Sequence, residues 1–124
     1  MRQRYIRPND ELHDGDIVVR GGPVDDDEVV EDAQTVFDIY GVYALSVFAL
    51  RSTTLDELAQ QAPLVRYAEL TLLTAGAIRA AGLRVVPTGR RPQHFSIEFD
   101  EIADGLERLK TCDRRVALNP YHVE

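Results

Sequence analysis

The chain has 124 residues, of which 44% are hydrophobic and 28% are charged, a composition that fits one globular domain and argues against disorder. Its formal net charge of −7 argues against non-specific nucleic-acid binding, which requires many Lys or Arg side chains to neutralise phosphates. The single cysteine, Cys112, permits no intrachain disulfide, and no run approaches the roughly 20 apolar residues of a membrane span, so we expect a cytoplasmic protein with no membrane contact.

The first half of the chain predicts an arm, two strands and a helix. Turn signals in residues 1–15 indicate an irregular arm. Residues 16–20 predict a strand that ends at a glycine pair. Residues 25–40 place their apolar side chains at helical spacing, and Gly41 suits the end of that helix. The apolar run 42–50 is rich in β-forming residues and is typical of a central strand buried on both faces.

The second half predicts alternating helices and strands. A capping box at 54–57 opens a short helix. Further strands are predicted at 67–74, 83–87 and 94–99, and further helices at 75–81 and 100–110. The order predicts an α/β (α+β-like) fold with a mixed sheet of about five strands covered by helices. The last two strands should form an antiparallel hairpin. We therefore expect one domain over 16–112 and an irregular tail over 113–124.

One strand carries a polar row that suggests chemistry. Side chains alternate between the two faces of a strand, so His94, Ser96 and Glu98 share one face, while Phe95, Ile97 and Phe99 share the other. Histidine is the natural acid or base near neutral pH. The ordinary alternative is that this face is simply solvated, as half of most antiparallel strands are.

Three arginines are candidates for substrate binding. Arg90 and Arg91 lie just before the polar row and are suited to hold a phosphate or a carboxylate. Arg20 ends the first strand, where it either faces His94 or pairs with the aspartates that follow. Gly21 and Gly22 would let a ligand or another part of the backbone approach closely. No cluster has zinc-ligand spacing, so we expect no metal site.

These residues support two classes of function. The first is a small toxin-like enzyme acting on RNA or a nucleotide, with His94 as acid or base and with Arg90 and Arg91 on phosphate. Ser96 and Glu98 would orient the substrate or the histidine, and no cofactor would be needed. The second is a non-catalytic interaction module, such as an antitoxin, an immunity protein or a regulator. It would use the acidic first third of the chain to bind a basic protein partner.

Three resemblances accompany these hypotheses. The segments at 16–22, 41–50 and 85–97 resemble those of small uncharacterised actinobacterial proteins. The order of Arg20-Gly21, Ser46 and Glu98 is similar to that of the motifs of ADP-ribosyltransferases, although the middle motif here has one serine and no acidic residue stands two positions before Glu98. That resemblance implies NAD as cofactor, Arg20 as its contact and Glu98 as the activating group. The architecture resembles that of small ribonuclease toxins.

Overall fold

A computed structural model describes residues 2–24 and 26–123, with only the backbone of Asp26. Six strands are described: β1 (Ile17–Gly21), β2 (Tyr43–Ala49), β3 (Glu69–Thr74), β4 (Arg84–Pro87), β5 (His94–Phe99) and β6 (Arg115–Leu118). Four α-helices join them: α1 (Asp26–Tyr40), α2 (Leu55–Ala59), α3 (Ala75–Ala80) and α4 (Ile102–Lys110). A 3₁₀ turn spans Leu64–Arg66. The chain therefore forms a single α+β domain.

The sheet has the order β4-β5-β2-β1-β3-β6, and every neighbouring pair is antiparallel. The predicted C-terminal hairpin of β4 and β5 is confirmed, whereas the predicted mixed character of the sheet is wrong. Alternating helices and strands in sequence favour parallel crossovers. Here β2, β3 and β4 do run in one direction, and so do β5 and β6, but each strand lies beside strands that run in the opposite direction. No local pattern specifies that placement.

The tail contains a strand that the sequence analysis did not predict. Within the expected irregular tail 113–124, Arg115–Leu118 pairs with β3 as the edge strand β6. This strand has four residues, and two of its apolar side chains, Val116 and Leu118, remain exposed. An edge strand gains its hydrogen bonds from one neighbour, so its sequence need not show the apolar pattern of a buried strand.

The local signals for helix ends are largely confirmed. The Thr54 hydroxyl accepts a hydrogen bond from the Glu57 amide at 3.1 Å, as the capping box predicts. Gly41 follows α1 with φ of 78°, the left-handed conformation that favours glycine. The predicted helix start, Asp25, lies outside the described residues. The last helix begins at Ile102, two residues later than predicted, with Glu101 at its N-cap.

Two apolar clusters lie on opposite faces of the sheet. On one face α1, α3 and α4 pack on Phe95, Ile97 and Phe99 of β5, which confirms the predicted core face of that strand. On the other face α2 and the 3₁₀ turn pack on Val19, Phe48, Leu70 and Leu72. The polar row of β5 shares this second face. In the described residues, no helix is long and apolar enough to cross a membrane.

The sheet opens between β1 and β2. Their pairing is limited to Val18 with Ala49 and Val19 with Phe48. Beyond that point the Arg20 guanidinium donates to the main-chain oxygen of Ser46 at 3.1 Å, and it also binds Asp32 of α1. The helix α1 packs against β2. This opening brings one stripe of α1 close to the polar face of β2 and β5.

Candidate functional site

A cleft of about 440 Å³ lies where the N-terminal arm, α1 and the polar face of the sheet meet. The arm, residues 2–15, contributes Gln3, Arg4 and Tyr5 to its walls, and α1 contributes Val36 and Tyr40. The sheet and the β4–β5 loop contribute Ser46, Thr88, Gly89, Arg90, His94 and Ser96. We refer to this feature as the arm cleft. Its size falls within the range of small-molecule sites.

The ring of His94 is held in one orientation by Thr88. Its Nδ1 atom lies 2.9 Å from the Thr88 carbonyl oxygen and 3.0 Å from the Thr88 hydroxyl oxygen. A carbonyl oxygen only accepts, so Nδ1 must carry the hydrogen. In the neutral ring, Nε2 is then the unprotonated nitrogen. His94 therefore presents a proton acceptor on its Nε2 side.

A short chain of hydroxyl groups continues from His94 across the sheet. The Thr88 hydroxyl lies 2.7 Å from the Ser96 hydroxyl, and both residues are buried. Ser96 faces Ser46 directly in the register of β5 and β2, so their side chains are neighbours on one face. His94 and Ser96 of the polar row thus form a hydrogen-bonded network with Thr88 in the wall of the arm cleft, and this part of the row is not a solvated face.

The surroundings of His94 favour its neutral form. Burial lowers the pKa of His94 below its usual 6.5, and the positive charges of Arg7 and Arg91 lower it further. The hydrogen bond to Thr88 acts in the opposite direction and offsets part of this effect. A histidine with a lowered pKa is mainly unprotonated at pH 7, as a general base must be.

Arg7 of the arm organises the loop that carries Thr88. Its guanidinium donates to the carbonyl oxygens of Thr88 at 2.7 Å, Gly89 at 3.0 Å and His94 at 2.9 Å. Its Nε atom binds Asp10 at 2.7 Å. One arginine therefore fixes several loop carbonyls, including the one that orients the His94 ring.

The two loop arginines point to different places. Arg90 lines the arm cleft, and its guanidinium stacks on the Tyr5 ring at 4.7 Å. Arg91 leaves the cleft, stacks on Phe48 at 5.0 Å and binds Gln61. The structure thus brings Arg90, but not Arg91, to the same cleft as His94.

Glu98 lies outside the cleft lining, although it belongs to the same polar row. Its carboxylate binds Arg4, and Arg84 lies 3.6 Å from its second oxygen. Glu98 is buried, so these two arginines compensate its charge. The contact with Arg4 fastens the arm to β5, and Glu98 thereby helps to build a wall of the cleft.

Arg20 occupies the opposite side of the sheet from the polar row. Alternate residues of a strand share a face, so Arg20 shares its face with Val18. Val18 belongs to the apolar cluster that contains Phe95 and Ile97. Its contacts are Asp32 and the Ser46 main chain. Arg20 therefore pairs with an aspartate of α1 and does not face His94.

The glycine pair after Arg20 accommodates an aromatic ring of the protein itself. A β-carbon at Gly21 would overlap the ring of Tyr67, and one at Gly22 would lie 3.2 Å from the same ring. The space beside this pair is thus filled by a side chain, whereas the sequence analysis expected a ligand or another part of the backbone there.

The residues that resemble the ADP-ribosyltransferase motifs are separated in the fold. Of Arg20, Ser46 and Glu98, only Ser46 lines the arm cleft. Arg20 and Glu98 lie on opposite faces of the sheet, and each is engaged in an ion pair. This arrangement does not join an arginine and a glutamate in one open site.

Several cleft residues were missed by the sequence analysis. Thr88, Arg4 and Tyr5 carry no motif, and Arg4 and Tyr5 belong to an arm that was expected to be irregular. The alternation of apolar and polar residues in β5 was the available signal, and it located His94 and Ser96. The described residues contain no group of three or more His, Cys, Asp or Glu side chains arranged to hold a metal ion.

Comparisons with family models, curated proteins and solved structures found no match to this chain. The geometry and electrostatics of the arm cleft are therefore the basis on which a function is proposed.

Proposed function

We propose that this chain is a small enzyme that acts on a phosphate ester of RNA or of a nucleotide, with His94 as the general base. The observation that carries the proposal is the pair of contacts between His94 Nδ1 and Thr88, which leave Nε2 as the basic nitrogen of a residue that lines a cleft. A fixed imidazole of lowered pKa beside a guanidinium is a suitable arrangement for phosphoryl chemistry.

In the proposed reaction, His94 Nε2 accepts the proton of the attacking hydroxyl, from either a ribose or a water molecule. The new oxygen–phosphorus bond forms as the bond to the leaving oxygen breaks, and that oxygen takes a proton from solvent. Arg90 stabilises the negative charge that develops on the phosphoryl oxygens. Thr88 and Ser96 keep the imidazole in its reactive orientation.

The charge distribution supports an anionic substrate at this position. No Asp or Glu is present among the described residues that line the arm cleft, whereas two arginines line it: Arg4, which is paired with Glu98, and Arg90, which rests on the Tyr5 ring. The whole chain is acidic, with a net charge of −7. The cleft is therefore a locally positive site on a negative protein, which concentrates a small anion there.

The proposal is tested by measuring turnover of short RNA and of nucleotides with the purified chain. The test variant is His94→Asn, because the Asn amide nitrogen retains a donor for Thr88 while Nε2 is removed. The control is His13→Asn, since the His13 side chain is exposed and does not line the cleft. We expect a loss of about a hundredfold to ten-thousandfold for His94→Asn only.

Full activity in a folded His94→Asn protein would disprove the general-base role. Expression of the chain in bacteria provides a second readout. Growth arrest that His94→Asn relieves supports a toxic enzyme, whereas harmless overexpression favours the interaction module.

A further inference from the structure

We infer that the arm cleft takes a single nucleotide bearing one phosphate group and not a stretch of RNA. This inference rests on the proposed function and narrows its substrate class. Three features of the arm cleft support it: the path of the arm, the balance of charge and the placement of two aromatic rings.

The arm closes one side of the cleft. At its start, the Arg2 amide donates to the Ile39 carbonyl of α1 at 2.9 Å. Further along, the Tyr5 carbonyl accepts from the Gly89 amide at 2.8 Å, and the Arg7 amide donates to Pro87 at 2.9 Å. The arm thus runs from α1 to the β4–β5 loop. An RNA strand needs a groove that its backbone can enter at one end and leave at the other. The arm obstructs such a groove on this side of the cleft.

The available positive charge matches one phosphate. Of the two arginines in the cleft lining, Arg4 is already neutralised by Glu98. Arg90 rests on the Tyr5 ring and forms no ion pair with any residue in the described part of the chain. Affinity for RNA grows with the number of phosphates that basic side chains neutralise. A single uncompensated guanidinium on a chain of net charge −7 favours a monophosphate.

Two aromatic rings provide contacts for a base. Tyr5 reaches the cleft from the arm, and Tyr40 reaches it from α1. Unpaired bases are recognised by stacking on such rings. The cleft thus offers aromatic surface for the base, the Arg90 guanidinium for the phosphate, and His94 beside the hydroxyl groups of Ser96 and Thr88.

The test is calorimetric titration of the full chain with four kinds of probe. These are the nucleoside 5′-monophosphates, their parent nucleosides, inorganic phosphate and an RNA of 12 nucleotides that carries no terminal phosphate. We expect at least one monophosphate to bind more tightly than its nucleoside, phosphate or the RNA. Arg90→Gln should weaken that binding by about tenfold or more, the effect of losing a charge-assisted hydrogen bond. The matched control is Arg66→Gln, since Arg66 is exposed and does not line the cleft.

Salt dependence separates the two substrate classes. For one phosphate contact, a tenfold rise in salt should weaken binding by no more than about fivefold. RNA that binds more tightly than every monophosphate, with a steeper salt dependence, would overturn this inference and leave the proposed function standing. If none of the probes binds and none is turned over, the proposed function and the inference about its substrate are both disproved. Binding that Arg66→Gln weakens as much as Arg90→Gln would place the ligand outside the arm cleft and would also overturn the inference.

Discussion

The Nδ1 atom of His94 lies 2.9 Å from the carbonyl oxygen of Thr88, and this one contact determines which ring nitrogen is available for chemistry. The same carbonyl accepts from Arg7 at 2.7 Å. Arg7 of the arm thus holds the Thr88 carbonyl group, and that carbonyl group orients the His94 ring on β5.

The first prediction concerns how His94 variants affect stability. His94 is half-buried, bonds to Thr88 and meets the edge of the Phe48 ring at 5.4 Å between centroids. We expect His94→Ala to lower the free energy of unfolding by about 1–3 kcal/mol, because it removes the hydrogen bonds to Thr88 and the packing of the ring against Phe48. His94→Asn should lose less, since it keeps the donor. Chemical denaturation of both variants measures the difference. Equal losses would show that the Thr88 contact does not stabilise the fold.

The second prediction assigns Arg7 a positioning role. Arg7→Gln removes a positive charge near His94 and several bonds to the loop carbonyls. The pKa of His94 should therefore rise, because Arg7 contributes to its lowering. The measurements are turnover as a function of pH and the NMR titration of the imidazole. The control Arg66→Gln should leave both unchanged. A pKa that stays constant in Arg7→Gln would remove Arg7 from the electrostatics of the site.

The third prediction is a pH dependence of stability with a defined sign. Burial lowers the pKa of His94 in the folded chain, so between that pKa and 6.5 the unfolded chain binds more protons. The free energy of unfolding therefore increases with pH in this window. The contribution is complete above pH 6.5 and is lost as the pH falls through the folded pKa. Denaturation at a series of pH values should show a decline in the parent that is smaller in His94→Asn. Identical curves would contradict the lowered pKa.

The fourth prediction tests the register of β5. Phe95 is fully buried in the apolar cluster that α1, α3 and α4 cover. Phe95→Ala should therefore destabilise the fold by about 3–5 kcal/mol, since a large cavity replaces the ring. Val116→Ala on the edge strand is the control, because Val116 is 54% exposed and should change stability by no more than about 0.5 kcal/mol. Similar effects at both positions would show that Phe95 does not face the core.

The fifth prediction concerns the glycine at the end of β1. Gly21→Ala places a methyl group against the ring of Tyr67, and overpacking of this kind costs about 1–3 kcal/mol. Gly15→Ala is the matched control, because no heavy atom lies within 4 Å of the added carbon. That control should be neutral or stabilising by up to about 1 kcal/mol, since it restricts the unfolded chain. Thermal melting compares the two. A neutral Gly21→Ala would mean that the Tyr67 ring moves aside without cost.

The sequence by itself determined the local structure of this protein. Apolar periodicity specified α1 and β5, and a continuous apolar run specified β2. The capping box at Thr54 and the glycine at 41 marked helix ends, because these signals act between residues a few positions apart. The same alternation separated the core residues of β5 from His94 and Ser96. The candidate base was therefore visible in the sequence.

Tertiary structure decided which residues surround His94. The antiparallel order of the sheet depends on which strands the folded chain places side by side. The strand β6 forms because β3 offers it an unpaired edge. Neither outcome depends on a local pattern. The arm shows only turn signals, yet long-range bonds from Arg4, Tyr5 and Arg7 make it a wall of the cleft. The same packing directed Arg91, Arg20 and Glu98 away from the cleft and left Arg90 in it, since the direction of a long charged side chain depends on which partner the folded chain places within its reach.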